Sequence, residues 1–217
     1  MFLGHFALGM AAKRVAPKAS LGTLVLSAQF ADCLWPVLLL LGIEQVRIAP
    51  GAARVTPLDF ISYPMSHSLL MQLVWGFLLG SIYLFWRKDF KTAALAGALL
   101  PTHWLLDYFS HRPDMPLYPG GPKVGLGMWN SLPLTLVVEF GLFAAGVAIY
   151  LTATRSKGGW NLGFWSFALF LAVLYPASVF GPPPPSVRVL ALSALALWLT
   201  IPWAAWGDRQ REARAVG

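Results

Sequence analysis

The sequence predicts an all-α integral membrane protein, a polytopic helical bundle of about six transmembrane helices with a short re-entrant helix at its start. Three observations carry this. Of 217 residues, 57% are hydrophobic and only 12% are charged, where a soluble domain is nearer to about a quarter charged. The apolar residues fall into runs of about 20, the length that crosses the hydrocarbon layer. Lys and Arg gather in short runs between them, as in loops held at an anionic membrane face. The net charge of +7 therefore belongs to loops and is not read as nucleic-acid binding. The whole chain, 1–217, is expected to be one membrane domain. Residues 1–131 hold most of the chemistry-bearing residues, and 132–217 add further helices. The single cysteine, Cys33, excludes an intrachain disulfide and a Cys-based zinc knuckle.

The elements follow in order. Residues 2–12 are an apolar run too short to span, closed by Lys13, Arg14 and Lys18. The apolar run precedes the basic pair, the reverse of a cleaved signal sequence. Residues 21–43 are the first full span, with Asp32 in its middle and Pro36 four residues on. That proline cannot donate to the Asp32 carbonyl, so a kink and a free acceptor are expected beside the carboxylate. Residues 44–66 read as a mixed loop. Span two, 67–86, opens on Ser66-His67-Ser68, and span three covers 92–110. Residues 111–131 form a Pro/Gly-rich loop. Span four, 132–152, has Pro133 at a favoured helix-start position and Glu139 inside. Spans five and six, 160–180 and 187–206, are joined by the stiff run Pro182 to Pro185. With both termini in the cytoplasm, eleven Lys and Arg residues face inward. Five face outward, namely Arg47, Arg54, Arg112, Lys123 and Arg188. That is the bias the positive-inside rule selects.

The chemistry concentrates in residues 99–119, LLPTHWLLDYFSHRPDMPLYP. His103, Asp107 and His111 repeat at a four-residue spacing, which on a helix lines all three along one face. The other two of the four histidines reach the same depth. His67 opens span two at the outer face, Asp32 lies about 21 Å along its helix from Lys18, and Glu139 lies near the outer end of span four. If residues 2–12 dip into the membrane and return at Lys13, His5 sits about 12 Å above the basic turn, within reach of Asp32. Ionisable groups at that depth are costly and usually functional. Imidazole and carboxylate are ligands for Zn, Fe and Mn. His103 with Asp107, completed by His67 and Asp32 and extended by His5, is thus a candidate site for a divalent metal ion, zinc foremost. Each residue also has a structural explanation. His103 and Asp107 would pair between helices, and His67 would be interfacial. His111 and Asp114 would belong to a turn opening on Pro113, and Glu139 would make a structural hydrogen bond. Asp32 is hardest to explain so, at about 3 kcal/mol of insertion cost.

These residues resemble the YdjM-like membrane-bound metal-dependent hydrolases of bacterial inner membranes. The matching pieces are GHFALG at residues 4–9, Asp32, SHSLL at 66–70 and HWLLD at 103–107 with the Pro/Gly-rich loop after it. The resemblance covers roughly residues 4–131. It implies phosphoester or lipid-ester hydrolysis in a bacterial inner membrane, with His5, Asp32, His67, His103 and Asp107 as ligands. Two departures point to a single ion. The family's D-x-D in the second apolar segment is reduced to Asp32, followed by Cys33 and Leu34. The family's H-R-G is replaced by Tyr63, Pro64 and Met65. In an enzyme of this kind His111 or Glu139 would be general base or acid, with Asp114 as a compensating carboxylate. Arg112 and Lys123 would hold a phosphate. Membrane lipid is the expected surrounding partner and a lipid-like phosphoester the expected substrate. Two other classes compete. A transporter or proton relay would need polar groups spread along the membrane normal, and a non-catalytic protein would use the ion or the polar cluster to lock helices.

Overall fold

The computed structural model describes residues 1–214. The fold is the expected all-α bundle. It comprises α1 (Leu3–Ala12), α2 (Leu21–Leu40), a one-turn α3 (Pro64–His67), α4 (Leu69–Arg87), α5 (Phe90–Ser110), α6 (Leu132–Ala153), α7 (Leu162–Phe180), α8 (Val187–Ala194) and α9 (Leu197–Arg209). Among the described residues, five segments are long and apolar enough to cross a membrane: α2, α4, α6, α7 and the α8–α9 pair taken together. The sixth expected span, α5, matches them in length at 21 residues. It falls outside that group because it carries Lys91, His103 and Asp107. The outward faces are greasy. On α4, Phe77, Phe85 and Trp86 are each more than 70% exposed, a surface suited to lipid and not to water.

The ten residues of α1 are the centre of the bundle. Leu3, Phe6 and Met10 pack with Val25 of α2, Phe143 of α6 and Phe167 and Leu171 of α7. The chain then turns at Lys13 and returns as α2, so a helix too short to span is enclosed by protein, as a re-entrant segment must be. Close approach of backbones makes this possible. A Cβ on Gly146 of α6 would lie 2.6 Å from the Ala7 Cα of α1. Helices α4 and α5 meet in the same way, since a Cβ on Gly97 would lie 2.8 Å from the Gly76 carbonyl oxygen. Small residues at such crossings let helices pack without a hydrophobic driving force. Gly97→Val is therefore expected to destabilise the protein by about 1–3 kcal/mol through overpacking. The check is a lowered detergent denaturation midpoint, which a neutral result would contradict.

Three sequence expectations are corrected, and the sixth span, long and apolar enough to cross a membrane, is interrupted within. Residues 44–66 are not a plain loop. They form a hairpin of β1 (Gln45–Ile48) and β2 (Leu58–Ser62), antiparallel with Arg47 opposite Asp59, followed by α3. The loop 111–131 holds a second short pair, β3 (Met115–Pro116) with β4 (Lys123–Val124), and a 3-10 turn, Met128–Asn130. His111 does not continue the face of His103 and Asp107. It caps α5 with extended backbone, φ −71° and ψ 149°, because Pro113 disfavours helix at Arg112 and stops the helix short. Span six is broken into α8 and α9 at Leu195–Ala196. Beyond it, β6 (Arg211–Ala213) pairs with β5 (Thr154–Ser156).

Candidate metal centre

The five expected ligands converge from four helical elements. His5 comes from α1, Asp32 from α2, His67 from the last residue of α3, and His103 and Asp107 from successive turns of α5. His5 Nε2 lies 3.0 Å from Asp107 Oδ1, and His103 Nε2 lies 3.1 Å from Asp107 Oδ2. His67 Nε2 is 3.4 Å from Asp32 Oδ1 and 3.9 Å from Asp107 Oδ2. His103 Nε2 is 3.9 Å from Asp32 Oδ1. Two overlapping groups result, His5 with His103 and Asp107, and Asp32 with His67 and His103. The His5 and His103 rings stack at 3.5 Å. The Met1 amino group also contacts Asp107 Oδ1 and donates to Ser110 Oγ at 3.1 Å. All of these side chains are buried except Asp32, which is 23% exposed.

Hydrogen bonds at the far ring nitrogens fix two tautomers. His103 Nδ1 sits 2.7 Å from the Ala28 carbonyl oxygen. A carbonyl only accepts, so Nδ1 carries the proton and a neutral His103 presents a lone pair on Nε2. That atom is buried without a hydrogen-bond partner among the described residues. His67 Nδ1 sits 2.7 Å from Ser66 Oγ, whose own proton goes to Glu44 Oε2 at 2.6 Å. Ser66 Oγ must then accept from His67, which again leaves the lone pair on Nε2. Two imidazole lone pairs thus face two carboxylates, of which Asp107 is also met by the Met1 amino group. A bound cation turns each of these repulsions into attraction. The donor set of imidazoles and carboxylates suits zinc and similar ions. The separations suit them too, because a tetrahedral site with bonds of about 2.05 Å has edges of about 3.3 Å. The chain's residues therefore fit a divalent ion.

Glu44 had no signal in the sequence. It is 2% exposed and accepts from the amides of Met65 and Ser66, both at 2.8 Å. It thereby anchors α3 and, through Ser66, orients His67. Such outer partners set ligand orientation and basicity, and their loss typically costs about 10- to 100-fold in affinity. Ser66→Ala is expected to weaken metal binding by that order. Competition with a chelating dye measures it, and an unchanged affinity would remove the relay.

Among the described residues, the side chains of the remaining predicted residues make no hydrogen bond to those of the five. Glu139 accepts from the amides of Phe2 and Gly4 at 2.8 and 2.9 Å, so its carboxylate caps the start of α1 and fixes the helix that carries His5. His111 Nδ1 lies 2.9 Å from Asp114 Oδ1, which also accepts from Tyr63 Oη at 2.7 Å. The Tyr63 ring packs on both His67 and His111. Burial alone would raise the Asp114 carboxyl, yet hydrogen bonds from His111, Tyr63 and Arg112 hold it below the ordinary carboxylate range. Burial pushes His111 below its ordinary value. Arg112 pairs with Asp114, at 3.2 Å, and with Asp59. Burial would also raise Asp59, but Arg47 and Arg112 hold it low. Lys123 Nζ donates to the Ile61 carbonyl at 2.8 Å, tying β4 to β2 at the surface.

No protein-family model, no curated protein and no solved structure matches the chain.

Proposed function

We propose that the chain is a metal-dependent hydrolase embedded in a bacterial inner membrane, with both termini cytoplasmic. It would cleave a phosphoester or lipid ester in the outer half of the bilayer. The observation that carries this is the buried cluster of three histidines and two aspartates with the lone pairs of His67 and His103 aimed into it. The sequence resemblance to the YdjM-like hydrolases supports it, and zinc suits the donor set best.

His5, Asp32, His67, His103 and Asp107 would hold the ion. When bound, it supplies Lewis acidity and a water whose pKa falls toward about 7. The chain's own groups do the rest. Glu44 and Ser66 hold the His67 tautomer, and the Ala28 carbonyl holds that of His103. Asp114 accepts from His111 Nδ1, leaving His111 Nε2 free to take a proton as a neutral base. Arg112, one-third exposed between Asp59 and Asp114, and the exposed Lys123, tied to the Ile61 carbonyl, would meet an anionic group. Glu139, with both oxygens on backbone amides, positions His5 and is not assigned a proton transfer.

Detergent-purified protein loaded with zinc is expected to hydrolyse at least one member of a panel of phosphodiesters, phosphomonoesters and carboxyl esters. Chelator treatment and Asp32→Asn should both remove that activity. A protein that holds its full complement of metal and turns over nothing in the panel would overturn the proposal.

A further inference from the structure

A chamber of about 530 Å³ lies against the cluster, within the roughly 300–1,000 Å³ usual for small-molecule sites. Its walls are mostly apolar and come from segments far apart in the chain. Trp35 of α2, Phe60 of the β1–β2 hairpin, Leu174 of α7, Leu190 of α8 and Leu197 of α9 all line it. It meets the cluster at Asp32, the one ligand that is partly exposed. One turn along α2 from Asp32 stands Trp35, 7% exposed, whose indole N–H is buried without an acceptor among the described residues. A buried donor left unpaired costs about 1–3 kcal/mol, so an oxygen belongs beside it.

We propose that this chamber takes the hydrocarbon chain of an amphiphilic ester, with the head group at the His/Asp cluster and an oxygen of the linkage accepting from Trp35 Nε1. The head-group half of this rests on the hydrolase proposal, whereas the chain site stands on the chamber itself. Three features favour such an occupant. The walls are mostly apolar, interrupted on α7 to α9 by hydroxyl residues such as Ser178, Ser193 and Thr200. The bundle sits in hydrocarbon, so such molecules surround it. The wall is also held in fixed relation to the cluster, because Trp198 Nε1 of α9 donates to the Cys33 carbonyl at 3.0 Å, beside Asp32. The break at Leu195–Ala196 places the small side chains of Ala194 and Ala196 on the chamber, where a straight helix of larger residues would fill it. Helices α7 to α9 thereby become the specificity element of a site whose ligands all lie in α1 to α5.

The probe is dodecyl phosphate carrying a diazirine at its chain end, applied to the zinc-loaded full chain and mapped after irradiation. Label is expected on Leu174, Leu190 and Leu197, competed by unlabelled dodecyl phosphate. It should fall at least several-fold in Ala194→Trp, which fills the chamber, with metal content reporting that this variant is folded. Trp35→Phe should require several-fold more competitor for the same protection. Label confined to lipid-facing residues such as Phe77 and Phe85, or unchanged in both variants, would overturn the chain site. Turnover of bis-p-nitrophenyl phosphate, a diester without a chain, separates the two proposals. Turnover without chamber labelling leaves the hydrolase and removes the chain site. Chamber labelling with no ester cleaved keeps the chain site and removes the hydrolase.

Discussion

His103→Ala is expected to abolish stoichiometric metal binding, the largest effect of any single ligand change. His103 belongs to both overlapping groups, so its removal deprives each of a donor at once. Its Nδ1 is anchored on the Ala28 carbonyl, and its Nε2 faces Asp107 Oδ2 at 3.1 Å and Asp32 Oδ1 at 3.9 Å with no hydrogen bond of its own. The Met1 amino group supplies positive charge at Asp107 Oδ1, whereas among the described residues Asp32 faces only His67 and His103, so further positive charge is called for on that side. The loss should therefore exceed the roughly 10- to 100-fold that removal of an outer partner causes. Two measurements check it. Elemental analysis should find near-equimolar metal in the wild type and almost none in the variant. Thermal unfolding should show a metal-dependent rise in the wild type alone, since a ligand at 100 times its Kd stabilises by about 2.7 kcal/mol. A wild type that binds no metal after reloading, with a variant at least as stable, would make the cluster a protonated ion network. Removing such a network is often neutral or stabilising.

The convergence of His5, Asp32, His67, His103 and Asp107 was legible because their signal is rarity and not pattern strength. Only four histidines exist, and three of them reach one depth together with Asp32 and Asp107. His103 and Asp107 also keep the one spacing that puts two side chains on the same helix face. The fourth, His111, leaves that face because it stands two residues before Pro113, whose effect on Arg112 ends the helix at Ser110 and puts His111 in extended backbone. Glu44 and Ser66 were invisible for a different reason. Their link to His67 depends on how the chain folds back after α2, and no sequence period records that. The chamber was equally hidden, because its walls join α2 to α7, α8 and α9 across more than a hundred residues. The resemblance covers none of those last helices. What periodicity and composition report is a helix and its greasy face. What they leave out is the tertiary closure that decides which polar atoms end up with no partner.

Asp208→Ala is expected to destabilise the bundle by about 3–5 kcal/mol, the cost of leaving a buried charge without its partner. Asp208 of α9 ties together the end away from the cluster. Its Oδ2 accepts from Lys13 Nζ at 2.6 Å and from the Leu21 amide at 3.0 Å, and its Oδ1 accepts from Tyr150 Oη at 2.8 Å. One carboxylate thus joins the turn after α1, the first turn of α2, and α6. Lys13 is only 5% exposed and, among the described residues, keeps a single other acceptor, the Ala19 carbonyl at 2.7 Å. The sequence placed Lys13 among charges held at the membrane face, where a lone surface pair contributes about 0–1 kcal/mol. Burial is what makes this one large. The consequence reaches the metal centre, since Lys13 fixes one end of α1 while Glu139 fixes the other, and His5 rides between them. Asp208→Ala should therefore lower the denaturation midpoint strongly and weaken metal affinity modestly, although the residue is not near a ligand. Lys13→Met with Asp208→Leu, which removes both charges and keeps their bulk, should recover most of the stability. A single variant as stable as the wild type would show that the charge pair is solvated and that α1 is held by its apolar packing alone.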